Sequence, residues 1–237
     1  MPPTIVLVHG AFADSSSWDN VIDRLLAAGH RVIAAANPLR GLAADAQSVS
    51  DLVRTIDGPV LLVAHSYGGA VISNVDPDAG EIVGVVYVNG FAPAAGEHCF
   101  QLAGMFPGSM VGEATVRAVP RTDGTTDLSI DPASFPEVFC ADVPATQAAR
   151  MATTQRPATQ EALTEPAGAP LWLKVPSWFL IGEEDRVIPA ALQRFEAERA
   201  GGHMHVIPGA SHAATVSRPD ACADLILEAA ALVAATA

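Results

Sequence analysis

One serine of this chain stands where a nucleophile is expected, between a short apolar run and a pair of glycines. Ser66 follows the run at residues 58–63 and is followed by Gly68 and Gly69, which can open a helix. A tight strand-to-helix turn forces its serine into strained backbone dihedrals. Residues two positions before and two positions after the serine must then be small, because larger side chains would clash in the turn. Ala64 and Gly68 occupy those positions. The pattern predicts a nucleophilic Ser66.

A carboxylate that could support this serine follows a later apolar run. Asp185 ends the sequence Gly-Glu-Glu-Asp after residues 177–181, and Pro189 can start a helix four positions further on. The acid would therefore lie in a short loop at the carboxyl end of a strand, where ligands bind in open α/β sheets. Glu183 and Glu184 compete for the role, and the position in the loop favours Asp185.

His212 follows the last apolar run and completes the chain order serine, acid, histidine. A serine hydroxyl is a poor nucleophile at neutral pH unless a base removes its proton during the attack. His212 would be that base, and Asp185 would orient its ring and stabilise the imidazolium. Five of the other histidines are expected to be structural or to lie at the surface: His9, His30, His65, His203 and His205.

The turn after the first apolar run could supply donors for a developing oxyanion. It reads His9-Gly10-Ala11-Phe12. If the first strand lies beside the third, the backbone N–H groups of Ala11 and Tyr67 can converge near Ser66. An ordinary glycine turn with a buried His9 explains the same residues, and the motif alone does not decide between the two.

Short apolar runs alternate with helical patterns and predict an α/β fold with a mainly parallel six-stranded sheet and helices on both faces. The predicted strands are 5–8, 31–35, 60–64, 82–88, 177–181 and 204–207. The predicted helices are 18–28, 43–56, 69–75, 189–200 and 218–235.

The alternation breaks between residues 92 and 174, which predicts an inserted cap on a core domain formed by residues 1–91 and 175–237. Within the insertion, a hairpin is expected around residues 122–124, and Asp131 and Pro144 could start helices. Its large apolar residues favour a small core of its own over pocket lining: Phe100, Met105, Phe106, Phe135, Phe139 and Met151. The candidates for lining the substrate pocket are Phe12, Phe91, Phe106 and Phe139.

Composition narrows the possible partners. The net charge of -13 argues against binding to nucleic acid or to an anionic membrane. The three cysteines, Cys99, Cys140 and Cys222, are far apart and odd in number, so they are expected to be reduced and structural. We find no metal-ligand spacing and no phosphate-binding glycine motif, so no metal or organic cofactor is expected. The chain opens without a signal-like segment, which predicts a cytoplasmic protein.

With these residues in place, the chain resembles the α/β-hydrolases, in particular the small branch with bacterial esterases, plant methyl esterases and hydroxynitrile lyases. The resemblance implies triad roles for Ser66, Asp185 and His212 and oxyanion roles for the Ala11 and Tyr67 amides. The family's first antiparallel strands are missing here. The resembling lyases usually carry threonine at the position of Gly10 and lysine at that of Ala213, which weakens the lyase reading.

The leading hypothesis is a serine esterase that cleaves small to medium, apolar carboxylic esters through an acyl-enzyme intermediate. Its partner would be a small-molecule ester, and the oligomeric state is open. Two alternatives use the same fold. One is a cofactor-free carbon-carbon lyase or hydrolase, and the other is a binding protein without catalytic activity. The sequence does not identify the substrate, because the fold alone does not determine function.

Overall fold

The computed structural model describes residues 1–236, which form strands β1 to β9 and helices α1 to α10. The strands are Thr4–Val8, Val32–Ala35, Pro59–Ser66, Glu81–Gly90, Val116–Pro120, Thr126–Ile130, Ala158–Thr159, Ser177–Gly182 and His203–Ile207. The helices are Asp19–Ala27, Leu42–Val53, Tyr67–Ser73, Cys99–Ala103, Phe135–Phe139, Ala145–Thr153, Gln160–Thr164, Ala190–Ala200, Ala214–Ser217 and Pro219–Thr236.

Six strands form one parallel sheet in the order β2-β1-β3-β4-β8-β9, so the predicted α/β fold is confirmed. Strands β1 and β3 are neighbours, with Val8 opposite Ala64. Their carboxyl ends therefore bring the turn after β1 next to Ser66, as the sequence predicts. The loops after β8 and β9 leave the same edge, because all six strands run in one direction.

Successive side chains of the central strands enter two separate apolar clusters, which explains why these strands lack polar alternation. Ile5 and Leu7 pack with α1 and α10 on one face, whereas Val6 and Val8 pack on the other face with α2, α3 and α8. Both faces of the sheet are therefore buried. The second cluster continues into the insertion, where Leu128 and Phe135 belong to it.

Most helix ends differ from the sequence prediction by one to three residues, and two of these differences change the elements themselves. A 3-10 turn at Ser15–Trp18 precedes α1, which therefore begins at Asp19. The predicted last helix at 218–235 is divided into the short α9 and the long α10, which begins at Pro219. Proline is favoured at the first helical position because its missing N–H would have no partner there.

Residues 92–174 form α4 to α7 and a small three-stranded sheet in the order β5-β6-β7. The predicted hairpin is found as β5 and β6, with Gly124 at a φ of 89° in the turn. Strand β7 has only two residues and was not predicted. Pro144 caps α6 as expected, whereas Asp131 begins a turn and α5 starts only at Phe135.

The large apolar residues of the insertion do not form one common core. The rings of Phe135 and Phe139 are buried and stacked, with centroids 4.8 Å apart. Phe100 and Met105 are 37% and 49% exposed. No helix among residues 1–236 combines the length and the apolar character needed to cross a bilayer.

Candidate active site

Ser66 ends β3 and caps the N-terminus of α3, where its backbone has a φ of 57° and a ψ of −129°. A non-glycine residue in this region is strained, and such strain is typical of functional sites. The side chain is close to fully buried, with 4% of Ser66 exposed. The sharp turn expected from the sequence is therefore present.

Three glycines let neighbouring backbone approach this turn closely. A Cβ on Gly10 would lie 2.5 Å from Ser66 Cβ and 2.9 Å from the His65 carbonyl oxygen. On Gly68 it would meet the Val8 oxygen at 2.6 Å, and on Gly69 it would meet the Phe91 oxygen at 2.3 Å. Side chains at these positions would push the turns around Ser66 apart.

Asp185 and His212 are joined in a buried pair. His212 Nδ1 lies 2.8 Å from Asp185 Oδ2, and both side chains are fully inaccessible to solvent. Asp185 Oδ1 accepts the backbone N–H groups of Val187 and Ile188 at 2.8 and 2.9 Å, and Gln193 Nε2 donates to Oδ2 at 2.9 Å. The competing Glu183 and Glu184 are exposed. Asp185 is thus the carboxylate that meets the histidine.

Asn89 connects the two loops that carry this pair. Its Nδ2 donates to the carbonyl oxygens of Ser211 at 2.8 Å and His212 at 3.1 Å, while its Oδ1 accepts the Gly182 N–H at 2.7 Å. Asn89 has a φ of 43°, which asparagine tolerates better than most residues. Sequence reasoning missed it, although a polar residue at the carboxyl end of the apolar β4 was a usable signal.

His65 supports the histidine loop from the other side. Its Nε2 donates to the His212 carbonyl oxygen at 2.8 Å, and the two imidazole rings lie 4.6 Å apart. Burial lowers the pKa of His65 well below its ordinary value, and the nearby His212 lowers it further. A neutral His65 with the proton on Nε2 follows, which agrees with the supporting role expected from the sequence.

His212 Nε2 is buried and, within residues 1–236, has no hydrogen-bond partner. No hydrogen bond therefore joins it to Ser66 Oγ. Such bonds are often absent in unliganded enzymes and form only with substrate. The structure brings acid and base into contact and sets Ser66 next to His65, whose ring contacts His212.

Ala11 and Tyr67 line the same small cavity as Ser66. Tyr67 opens α3, and the first N–H groups of a helix have no partner within it. Ala11 precedes Phe12, which has a φ of 64° and whose N–H bonds to the Arg156 carbonyl oxygen of the insertion at 3.1 Å. The two residues expected to supply the oxyanion amides therefore border one cavity together with the serine.

His9 and Tyr67 also have structural contacts. His9 Nδ1 donates to the Gly10 oxygen at 2.9 Å and its Nε2 accepts the Asn37 N–H at 3.1 Å, while burial lowers its pKa. The Tyr67 hydroxyl donates to the buried Asp45 at 2.7 Å. Sequence reasoning missed Asp45, because no pattern in a helix marks a carboxylate that accepts from a distant tyrosine.

Three cavities surround these residues. The serine cavity has about 30 Å³ and contains Ser66 with Phe12 and Phe91 in its wall. The apolar cavity, about 680 Å³, lies within the insertion and is lined by residues including Phe106 and Leu128. The polar cavity, about 240 Å³, is lined by the following residues: Phe12, Ala13, Asp14, Ser16, Ser17, Asp19, Phe135, Phe139, Gln147, Arg150, Met151, Thr154 and Val216.

The four residues predicted to line the substrate pocket therefore lie in three different cavities. Phe12 and Phe91 line the serine cavity, Phe106 lines the apolar cavity and Phe139 lines the polar cavity. The Phe139 ring also packs edge-on against the His212 ring, with centroids 4.7 Å apart. Phe139 therefore contacts the histidine and does not line the serine cavity.

The insertion holds the histidine loop through Asp142 as well. Asp142 accepts a short hydrogen bond from the Ser211 hydroxyl and lies 3.2 Å from Arg218 Nη2. Nearby, Arg186 next to the acid lies 3.4 Å from Glu137 of α5. Residues 137–142 therefore contact both loops that carry the acid and the base. Among residues 1–236, we find no group of three or more potential side-chain ligands that could hold a metal ion.

Comparisons with known proteins agree with this architecture. A pyrethroid hydrolase from Sphingobium wenxiniae is 28% identical over 252 residues, covering 94% of this chain and 86% of that protein. A carbendazim hydrolyzing esterase from Nocardioides sp. is 31% identical over 127 residues, covering 48% of this chain and 51% of that protein. The solved structure of polyneuridine aldehyde esterase has a TM-score of 0.80 at 18% identity, covering 96% of this chain and 99% of that chain.

The family comparison covers most of the sequence. The model of the alpha/beta hydrolase family matches residues 5–225, a range that includes Ser66, Asp185 and His212. The expected resemblance is thus confirmed, and the chain belongs to the alpha/beta hydrolase family.

Proposed function

We propose that this protein is a serine hydrolase that cleaves small to medium, apolar carboxylic esters, with Ser66, His212 and Asp185 as its triad. One observation carries the proposal: the buried His212–Asp185 pair leaves His212 Nε2 without a hydrogen-bond partner among residues 1–236, and the His212 ring contacts that of His65, the residue next to the strained Ser66. Relatives named as a pyrethroid hydrolase and as an esterase support it.

In the acylation step, Ser66 Oγ attacks the carbonyl carbon of the ester while its proton passes to His212 Nε2. The hydrogen bond from Nδ1 to Asp185 keeps Nε2 unprotonated beforehand and stabilises the imidazolium afterwards. The amides of Ala11 and Tyr67 hold the oxyanion of the tetrahedral intermediate, each contributing about 3 to 4 kcal/mol. Collapse breaks the bond to the alcohol, which leaves with the proton from His212.

Deacylation repeats these steps with water. His212 removes a proton from the water as its oxygen attacks the acyl carbon, and the oxyanion forms against the same amides. When the intermediate collapses, the bond to Ser66 Oγ breaks, the serine recovers its proton from His212 and the carboxylic acid leaves. No step requires a residue beyond those named.

The surroundings of Ser66 favour an apolar substrate over a charged one. Phe12 and Phe91 border the serine cavity, and both are only 5% exposed. Gly10 and Ala213 lack the hydroxyl and the cation that the resembling lyases place there, which favours ester cleavage over cyanohydrin cleavage. Two alternatives, a carbon-carbon lyase and a binding protein without catalytic activity, must be distinguished from an esterase by the first experiment.

The test is a panel of carboxylic esters, cyanohydrins and β-diketones assayed on the wild type and on Ser66→Ala. We expect the wild type to release acid and alcohol from esters as its fastest reaction. Ser66→Ala should lose at least about 1000-fold in kcat, since removal of a nucleophile leaves only binding and oxyanion stabilisation.

A matched control is Ser48→Ala, because Ser48 is exposed on α2 and should leave turnover unchanged. Faster cleavage of cyanohydrins or diketones than of any ester would contradict the proposal. So would tight ligand binding without turnover that Ser66→Ala leaves unaltered.

A further inference from the structure

The serine cavity adjoins two larger cavities whose linings differ. It shares Phe100, Ala103 and Val111 with the apolar cavity, and it shares Phe12 with the polar cavity. An ester bound with its carbonyl at Ser66 extends in two directions, because the acyl group and the alcohol lie on opposite sides of the reacting carbon. The two cavities offer one space for each part.

The position of His212 determines which cavity takes the acyl group and which takes the alcohol. His212 must give its proton to the departing alcohol oxygen, so the alcohol lies on the histidine side. Phe139, whose ring is 4.7 Å from the His212 ring, lines the polar cavity together with Phe12. The polar cavity therefore adjoins the leaving-group side of the serine cavity. The acyl group then faces the opposite wall, formed by Phe100, Ala103 and Val111.

The two cavities differ in size and in lining, and both differences fit an acyl group in the apolar cavity and an alcohol in the polar cavity. The acyl side has about 680 Å³ and is lined by apolar groups such as Phe106, Val116 and Leu128. The alcohol side has about 240 Å³ and includes Asp14, Gln147 and Arg150 among its lining residues. A long apolar chain has more room and more apolar surface in the first, whereas a short or hydrogen-bonding alcohol fits the second.

We infer that the substrates are asymmetric esters, with a long apolar acyl group in the apolar cavity and a short or polar alcohol in the polar cavity. This inference rests on the proposed function, since it assumes that Ser66 attacks the ester. It makes Phe100 a specificity residue, because Phe100 stands in the wall between the serine cavity and the apolar cavity.

The test uses two ester series on the purified protein. One series keeps a methyl alcohol and lengthens the acyl chain from two to twelve carbons, and the other keeps an acetyl group and lengthens the alcohol over the same range. We expect kcat/KM to rise with acyl length by up to roughly fourfold per buried methylene. It should fall with alcohol length.

Substitution of Phe100 then tests whether the acyl chain passes the wall between the serine cavity and the apolar cavity. Phe100→Trp should lower kcat/KM for long acyl chains by at least about tenfold more than for acetyl esters, a ratio typical of a one-methylene misfit in an apolar pocket. Phe100→Ala should retain activity on long acyl chains. The control is Met105→Ala, because Met105 lies in the same segment, is 49% exposed and lines none of the three cavities.

A preference for long alcohols that responds to Phe100→Trp would overturn the inference, and so would acyl-length profiles that both Phe100 variants leave unaltered. The proposed function is judged separately, by whether Ser66→Ala abolishes cleavage of the best ester. If that loss occurs but the chain-length pattern does not, the orientation is wrong and the serine mechanism stands.

Discussion

Ser66 is held in an unfavourable backbone conformation by close neighbours. Among residues 1–236, four non-glycine residues have a positive φ, and three of them, Phe12, Ser66 and Asn89, lie at the carboxyl edge of the main sheet. Each carries or positions a part of the proposed machinery. The strain is maintained because packed glycines and hydrogen bonds around these residues determine their positions.

Gly10 offers a test of this close packing at the scale of one residue. Gly10→Ala would bring a methyl group to 2.5 Å from Ser66 Cβ and 2.9 Å from the His65 oxygen, so the serine must move. We expect kcat/KM for the best ester to fall about 100-fold, the loss that a misplacement of about 1 Å can cause. The measurement is steady-state kinetics on the folded variant.

The control for Gly10→Ala is Gly112→Ala, because a Cβ on Gly112 would meet no atom within 4 Å. Gly112 lines the apolar cavity, so both variants are also compared on an acetyl ester, on which Gly112→Ala should have wild-type kinetics. Full activity of Gly10→Ala would show that the turn adapts easily and that Gly10 is not needed for the position of Ser66. The same contact gives a reason why the threonine of the resembling lyases would not fit here.

The sequence identifies the candidate triad residues better than the residues that position them. Ser66 ends a strand, and Asp185 and His212 follow strands of the same parallel sheet, so their places at the sheet edge could be predicted from strand order. Asn89 and Gln193 act through bonds to residues distant in the chain. A single polar residue in a strand or helix does not indicate which distant residue it will form a hydrogen bond with.

At the scale of elements, the segment at residues 137–142 joins the insertion to the proposed machinery. The Phe139 ring packs on the His212 ring, and Asp142 accepts from the Ser211 hydroxyl directly before that histidine. The insertion therefore does more than cover the serine, since it also fixes the orientation of the loop that carries the base. Its local pattern predicted the hairpin but not these contacts.

This role of the insertion predicts the effect of Asp142→Asn. The neutral side chain keeps its shape but weakens the bond from Ser211 and the pairing with Arg218, so the loop with His212 is held less firmly. We expect kcat to fall about tenfold, in line with loss of a charge-assisted hydrogen bond. KM should change little, because Asp142 lines none of the three cavities.

The matched control is Asp131→Asn. Asp131 lies in the same insertion and pairs with Arg117, with no bond to the histidine loop. It should leave both kcat and KM at wild-type values. An unchanged kcat in Asp142→Asn, or a rise in KM alone, would contradict the positioning role.

At the scale of the whole molecule, one buried carboxyl group works against stability at neutral and higher pH. Glu196 of α8 is fully buried. Its Oε1 accepts the Ala92 N–H at 3.0 Å, while its Oε2 has no partner among the described residues. Burial raises the pKa of Glu196 from its ordinary 4.5 to about 8. The Ala92 N–H and Arg199 on the same helix lower this pKa, and Glu97 raises it, while Glu196 in turn raises the pKa of the neighbouring Cys99 and Tyr87.

This raised pKa makes stability depend on pH. The unfolded chain loses the Glu196 proton near pH 4.5, while the folded protein keeps it until about pH 8. Between these values the folded protein binds more protons, so the contribution of Glu196 to the free energy of unfolding falls as pH rises. Glu196→Gln removes this dependence. Denaturant unfolding should therefore show a larger stability gain for the variant at pH 8 than at pH 5.

The control variant is Glu198→Gln, since Glu198 is exposed on the same helix. Its stability difference from the wild type should be the same at both pH values. A gain for Glu196→Gln that does not grow between pH 5 and pH 8 would show that the buried carboxyl is not the source of the pH dependence.

The overall fold was predictable because six strands with apolar residues on both faces leave few arrangements other than a covered parallel sheet. The cavities were not predictable, because they form where segments distant in the chain pack together, within the insertion or between it and the core. Phe106 and Phe139 illustrate this: both were pocket candidates, yet they lie on different cavities, neither of which contains Ser66. Local sequence patterns do not determine packing between distant segments.

The proposed role of Ser66 is tested most directly by treating the protein with a fluorophosphonate and locating the adduct by peptide mass spectrometry. We expect one phosphonyl group, on Ser66, whose formation slows strongly in His212→Ala because the base that activates the serine is missing. No adduct on Ser66 in a folded protein that still cleaves esters, or a labelling rate that His212→Ala leaves unchanged, would contradict it.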